Sequence, residues 1–189
     1  MVTAGSATLV DGKLDVRVQP ALVDRHHPLA AVEGAFNAVM LQGDAIREIT
    51  LEGPGAGGIE TASAVIADMA SVIGTMGTGF LQNDAVWREL PRLPLGDNRS
   101  PWYFHLSVDD RPGVLARVTV ELAEREISIA RILQHANGDG AAVHVVTHEA
   151  RSGSLEEALV AIAALDEVHK PPLPFPVVSD RGVAELGWA

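Results

Sequence analysis

The chain contains no cysteine. Disulfides, thiolate metal sites and a cysteine nucleophile are therefore excluded, and the lack fits a reducing compartment. Aromatic residues make up only 4% of the chain, so its apolar mass is aliphatic and alanine, which suits helices layered on a sheet. Positive charge is also scarce. Fourteen Lys and Arg face 25 Asp and Glu, for a formal net charge of −11, which argues against a nucleic-acid partner or an anionic membrane surface. The only lysines are Lys13 and Lys170. No run approaches the roughly 18 apolar residues of a membrane span. Residues 1–20 lack a basic segment followed by an apolar core, so a cytoplasmic protein is expected. What is present is 189 residues, 47% of them hydrophobic, enough for one large or two small cored domains.

The stretch 53–68 organises the first half. It reads as a strand end, the run Gly53-Pro54-Gly55-Ala56-Gly57-Gly58, and then a helix. Glycines permit positive φ and the approach of a ligand to bare backbone. A helix start presents unpaired N–H groups to an anion, with Thr61 or Ser63 lining the first turn. The same stretch also reads as a tight strand-to-helix turn with no ligand. Ahead of it, residues 7–10 and 14–18 flank Asp11-Gly12 as a hairpin, and residues 36–41 and 46–51 read as a strand pair. The helix from about Thr61 carries Ala62, Val65, Ile66, Met69 and Ile73 on one face, and Gly74 and Gly77 stop it. Residues 77–100, with Pro91, Pro94 and Gly96, read as a linker with a short helical piece near Trp87.

The second half is more regular. Trp102, Phe104, Leu106 and Val108 alternate with polar residues as a strand. The turn Asp109-Asp110-Arg111-Pro112-Gly113 leads into a helix marked by Val114, Val118 and Leu122. A strand over 127–135 slips phase near Ala130, as a bulge would. Residues 137–140 form a hairpin loop and 142–148 a third strand. Ser154 and Glu157 suggest a capping box on the next helix, and residues 175–178 a last strand. The order β-α-β-β-α-β is that of the ferredoxin-like split unit. The fold class is thus α+β. Residues 1–76 form a partial mixed α/β segment, residues 101–178 the βαββαβ domain, and 179–189 a tail. An amino-acid ligand suits the 109–114 turn: the helix start holds a carboxylate, Asp109 or Asp110 pairs an ammonium, and Gly113 lets the backbone close in. A capped turn with proline at the helix start accounts for the same residues equally well. No metal site is expected. His144 and His148 stand about 13 Å apart along a strand, too far to share an ion. No serine has a nucleophile-elbow setting.

Two ordered series of residues resemble known families. His27-Pro28-Leu29-Ala30, Gly34, Asn37-Ala38, the 53–57 run, Thr61-Ala62-Ser63-Ala64-Val65 and Asp68 resemble the closing section of a homoserine dehydrogenase catalytic domain. Asp110-Arg111-Pro112-Gly113-Val114-Leu115-Ala116, Ile127-Ser128-Ile129, Gln134 and Thr147-His148 resemble an ACT-type regulatory domain. The resemblance implies an NAD(P)-dependent oxidoreductase interconverting L-homoserine and L-aspartate 4-semialdehyde. By position, Gly57 is its best cofactor contact, with Gly55, Ala56 and Thr61 beside it. Glu60 stands where that family commonly has proline, adding negative charge near a phosphate-bearing cofactor. The resemblance also implies an amino-acid effector, threonine foremost, at Asp109, Asp110, Arg111, Pro112, Gly113, Val114 and Leu115, and a homodimer through the ACT domain. The family's G-x-G-x-x-G nucleotide turn is not in this chain, and neither lysine has the catalytic context. No catalytic residue is therefore assigned. The chain is expected to be inactive alone, with most cofactor contacts made by a missing N-terminal portion. The rival expectations are a stand-alone ACT-type amino-acid-binding regulator and a truncated product without function.

Overall fold

A computed structural model describes residues 1–75, 89–138 and 140–178. The linker piece near Trp87 and the tail over 179–189 lie outside the described residues. The chain divides into two compact units, Met1–His27 with the described residues from Leu90 onward, and the described residues of Pro28–Glu89.

The first unit is built on a six-stranded sheet. Strands β1 (Val2–Val10) and β2 (Lys13–Val23) form an antiparallel hairpin. Its tip is Asp11-Gly12, with φ of 48° and 76°, the doubly left-handed turn that matches strand twist. The short pair β5 (Arg99–Ser100) and β9 (Ala150–Arg151) is separate. The rest of the six-stranded sheet is β6 (Trp102–Asp109), β7 (Ile129–Asn137), β8 (Gly140–Thr147) and β10 (Phe175–Val178). The full order is β1-β2-β10-β6-β8-β7, so its last four strands have the split βαββαβ arrangement. The register shift between Ile129 and Arg131 is the bulge expected near Ala130. The hairpin, read from sequence with residues 28–76, packs in this unit. Its strand β2 runs parallel to β10 through Leu22–Val177 and Val23–Val178.

Helices α2 (Val114–Ala123) and α3 (Ser152–Ala163) cover one face of the sheet. Phe104, Leu106, Val143 and Val145 meet Val118, Leu122, Leu155 and Ile162 there, all at most 1% exposed. Each such side chain contributes about 1.5–3 kcal/mol by burial. Trp102 is fixed at one end: its indole N–H donates to the Ala150 carbonyl at 3.1 Å. Helix α3 begins at Ser152, with Arg151 before it and no side-chain cap bond. The capping box expected at Ser154 is therefore not formed, because the chain turns helical two residues earlier, where the linker docks. Ser152 N–H donates to the Asn98 carbonyl and its hydroxyl to the Leu95 carbonyl.

The second unit holds the hairpin of β3 (Phe36–Leu41) and β4 (Ile49–Pro54), followed by α1 (Gly58–Thr75). The second strand begins at Ile49 rather than 46, because the Gly43 N–H bonds the Ile46 carbonyl and lengthens the loop. Helix α1 starts at Gly58, ahead of the expected Thr61. None of the described residues in this unit is fully buried. On α1, Val65, Ile66, Met69, Val72 and Ile73 are all more than half exposed.

Candidate functional site

Two turns carry the site residues expected from sequence, one in each unit. In the second unit, β4 pairs Gly53 with Asn37 and Pro54 with Phe36. The chain then turns at Gly55, whose N–H donates to the Ala35 carbonyl at 2.8 Å. The Asn37 amide fills the space where a Gly55 side chain would start. Gly57 has φ of 148° and immediately precedes α1. Its carbonyl accepts the Thr61 N–H at 3.1 Å and the Thr61 hydroxyl at 2.6 Å. The Thr61 hydroxyl is thus spent on the helix backbone. Gly55, Ala56, Gly57 and Thr61 are all exposed.

Glu60 folds back so that its carboxylate occupies the space over Gly57. A negative charge at a helix start is favourable. A ligand that reaches the Gly57 backbone must displace it, and a phosphate must do so against like charge. Residue 60 lies in the first turn of α1, where the backbone N–H has no intrahelical acceptor, so proline would fit there as well. The Gly57 backbone becomes open to a ligand only once Glu60 swings out. The turn supplies no cation to grip a nucleotide.

The second turn joins β6 to α2. Gly113 precedes α2 with φ of 94°, a conformation that favours glycine. The Val114 N–H donates to the Arg111 carbonyl at 3.3 Å, and the Arg117 N–H to Gly113 at 3.1 Å. The Leu115 and Ala116 N–H groups are left without a backbone acceptor among the described residues. Val114 is buried and Leu115 packs against the same core, so both contribute only backbone to the turn. Arg111 and Pro112 are exposed.

The two acidic residues differ. Asp109 is already paired, to the His169 imidazole at 2.8 Å and the Arg111 guanidinium at 2.5 Å. The His169 hydrogen bond foremost holds its carboxyl below the usual range; desolvation opposes it, and Arg111 adds to the lowering. Asp110 is exposed and accepts one hydrogen bond, from the Gln134 side-chain amide of β7 at 3.2 Å. The structure thus brings Gln134 to the turn and leaves Asp110 as the more available partner for an ammonium group.

Three residues at this turn were not found from sequence. Glu167, buried, pairs with Arg117 of α2, and its carbonyl accepts the Asp109 N–H at 3.1 Å. His169 holds Asp109. These partners lie 50 and 60 residues apart, so no local spacing announces them.

One unit thus holds an exposed glycine turn that opens an apolar helix, and the other a βαββαβ domain with a polar turn ahead of its first helix. Residues 2–70 match the homoserine dehydrogenase family model and residues 106–167 the ACT domain model. A homoserine dehydrogenase of Mycobacterium tuberculosis is 40% identical over 168 residues, covering 83% of this chain and 37% of that protein. One of Bacillus subtilis is 31% identical, covering all of this chain and 43% of that protein. The crystal structure of a homoserine dehydrogenase from Thiobacillus denitrificans superimposes with a TM-score of 0.81 at 31% identity, over 91% of this chain and 41% of that one. The chain carries a homoserine dehydrogenase segment followed by an ACT domain. It spans about two fifths of the length of these relatives. Among the described residues no helix is long and apolar enough to cross a membrane, and no group of three potential ligands is placed to hold a metal ion.

Proposed function

We propose that this chain supplies the cofactor-side turn and the effector-sensing part of a cytoplasmic homoserine dehydrogenase. That enzyme interconverts L-homoserine and L-aspartate 4-semialdehyde with NAD or NADP. Oxidation of the homoserine alcohol needs a nicotinamide to take the hydride and a base to take the hydroxyl proton. Gly57, with Gly55, Ala56 and Thr61, lines one edge of the cofactor. The nucleotide grip and the base come from a polypeptide portion outside these 189 residues.

The observation that carries this reading is the exposed apolar face of α1 beside the glycine turn. A helix with Val65, Ile66, Met69, Val72 and Ile73 in water is stable only against a partner surface, and the relatives have the additional length to provide one. The effector is an amino acid, threonine foremost. Its carboxylate meets the Leu115 and Ala116 N–H groups and its ammonium meets Asp110. Homodimerisation runs through β7, the edge of the regulatory sheet that β2 does not cover.

A second reading is a free-standing ACT-type amino-acid sensor. It is favoured by the complete core of the regulatory domain, to which residues 28–75 add nothing buried. One experiment separates the two. The chain is assayed for homoserine oxidation alone and after mixing with the separately produced N-terminal three fifths of a homoserine dehydrogenase. The first reading expects no activity alone and activity on mixing; the second expects none in either case. Calorimetry with threonine, isoleucine and methionine tests the sensor. Asp110→Asn should weaken the binding about tenfold. Heat from none of the three would refute the effector assignment, and enzyme-like turnover by the unmixed chain would refute the rest.

A further inference from the structure

The face of the regulatory sheet opposite α2 and α3 carries chemistry that neither turn uses. On β6, Tyr103, His105 and Ser107 alternate with the buried Phe104, Leu106 and Val108, so they stand on the helix-free side. His144 of β8 lies directly across from His105, with ring centres 4.9 Å apart. His135 of β7 reaches the same imidazole at 5.8 Å, and the Tyr103 hydroxyl meets the His144 Nδ1 at 2.8 Å. The segment leading back to β10 borders this face in a half-open cavity of about 410 Å³, with Lys170, Pro171, Leu173 and Phe175 as its second wall.

We propose that this cavity is a separate small-ligand site for a monocarboxylate with an apolar body and no ammonium group, such as a branched 2-oxo acid. Lys170 and His105 hold the carboxylate. Leu173, Pro171 and Phe175 receive the hydrocarbon.

Charge decides the class. Lys170 is one of two lysines in a chain of net charge −11, it is exposed, and it makes no ion pair among the described residues. The polar groups lining the cavity are an ammonium, an imidazole and two hydroxyls, with no carboxylate. Asp109, next on this face after Ser107, is held by His169 and Arg111. An α-amino acid would bring an ammonium with nothing to meet it, next to Lys170. A dianion would find a single permanent positive charge. Leu173, 68% exposed at the rim, leaves apolar surface that only a ligand with a hydrocarbon part would cover.

The groups facing the site fix its pH dependence. They are Tyr103, His105 and Asp109 from β6, His144 from β8, His135 and Arg131 from β7, and His169 and Lys170 from the closing segment. Burial first, then the positive charge of His105 and His135, hold His144 below its ordinary value. A bound carboxylate offsets that repulsion, so binding takes up protons and tightens as pH falls.

The test titrates the full chain with 4-methyl-2-oxopentanoate by calorimetry, while NMR follows the histidine imidazole resonances. Saturable movement of His105 is expected, with affinity several-fold higher near about pH 6 than about pH 8. Lys170→Met and His105→Gln, both surface substitutions verified by an unchanged melting curve, should each weaken binding about tenfold. L-Leucine should leave His105 unmoved even where it shifts the Gly113 and Val114 amides of the effector turn, so failure of that reading and of this one are distinguishable. The proposal is overturned if His105 does not respond to the oxo acid. It is equally overturned if L-leucine or inorganic phosphate moves His105 as strongly, or if both variants bind like the parent chain.

Discussion

Glu60 stabilises the start of α1 and opposes the ligand that this helix start would otherwise attract. Its carboxylate lies over Gly57, where the helix start favours negative charge, and a cofactor phosphate arriving there meets like charge. Glu60→Gln keeps the shape and removes the charge. In the enzyme reconstituted from both portions, it should tighten nucleotide binding about three- to fivefold, measured by fluorescence titration, and leave threonine binding unchanged. His144 makes the second argument at this scale. Burial, then the charges of His105 and His135, lower its proton affinity in the fold relative to the ordinary value of 6.5. In that window the unfolded chain binds more protons than the folded one, so stability rises with pH. It is lost as pH falls from above 6.5 toward the depressed value. Urea midpoints measured from neutral to mildly acid pH should fall for the parent chain and fall less for His144→Gln. At this scale the sequence was legible where one residue type forces one conformation. Asp11-Gly12 forms the hairpin turn expected, with both residues left-handed, and Gly113, at positive φ, is the glycine at the turn before α2 that the sequence singled out. Glu167 was not legible, because its partner Arg117 is 50 residues away.

The linker and α3 form one mechanical element. Gly96 and Gly153 approach so closely that a Cβ on Gly153 would stand 3.2 Å from the Gly96 carbonyl oxygen and 3.5 Å from its Cα. Ser152 bonds Leu95 and Asn98, Arg151 pairs with Asp97 at 2.5 Å, and β5 pairs with β9. A further bond at each of Pro91 and Leu93 ties the same stretch to Leu14 of β2. Gly153→Val should wedge the two backbones apart and cost about 1–3 kcal/mol, read as a lower urea midpoint with faster amide exchange at Ser152. Arg151→Ala should cost under about 1 kcal/mol, since that pair is half exposed. Equal effects of the two would mean that the ion pair, not the close backbone approach, holds the linker. The helices and strands of the regulatory domain were readable because their apolar periods are local. The start of α3 was misplaced because it is set by docking to residues more than 50 positions upstream. The sequence carries only Gly153 as a trace of that contact, and a lone glycine before a helix has many other causes.

Across the whole molecule, burial is distributed unevenly, and this governs which parts hold together without a partner. Among the described residues, every buried cluster lies in the unit that holds residues 1–27 and the βαββαβ domain. Residues 28–75 show the reverse: a two-stranded hairpin and an 18-residue helix whose apolar side chains face water. Isolated hairpins and helices of this kind are marginal in water. The β1–β2 hairpin escapes that fate by pairing with β10 at two positions, Leu22–Val177 and Val23–Val178. So small a contact, made across more than 150 residues of sequence, left no periodicity to read, whereas the split order of the regulatory strands did. Hydrogen exchange on the full chain should therefore resolve two classes of amide. Those of β6, β8, α2 and α3 should exchange only by near-global unfolding, and those of α1 and β3–β4 by openings of little cost. Adding the N-terminal portion of a homoserine dehydrogenase should slow exchange in α1 by orders of magnitude, because a covered apolar face must be uncovered before the helix opens. The regulatory amides should change little, since their core is already closed. Uniform protection of both units in the unmixed chain would show that residues 28–75 carry their own stability, and the apolar face of α1 would then no longer point to a missing partner.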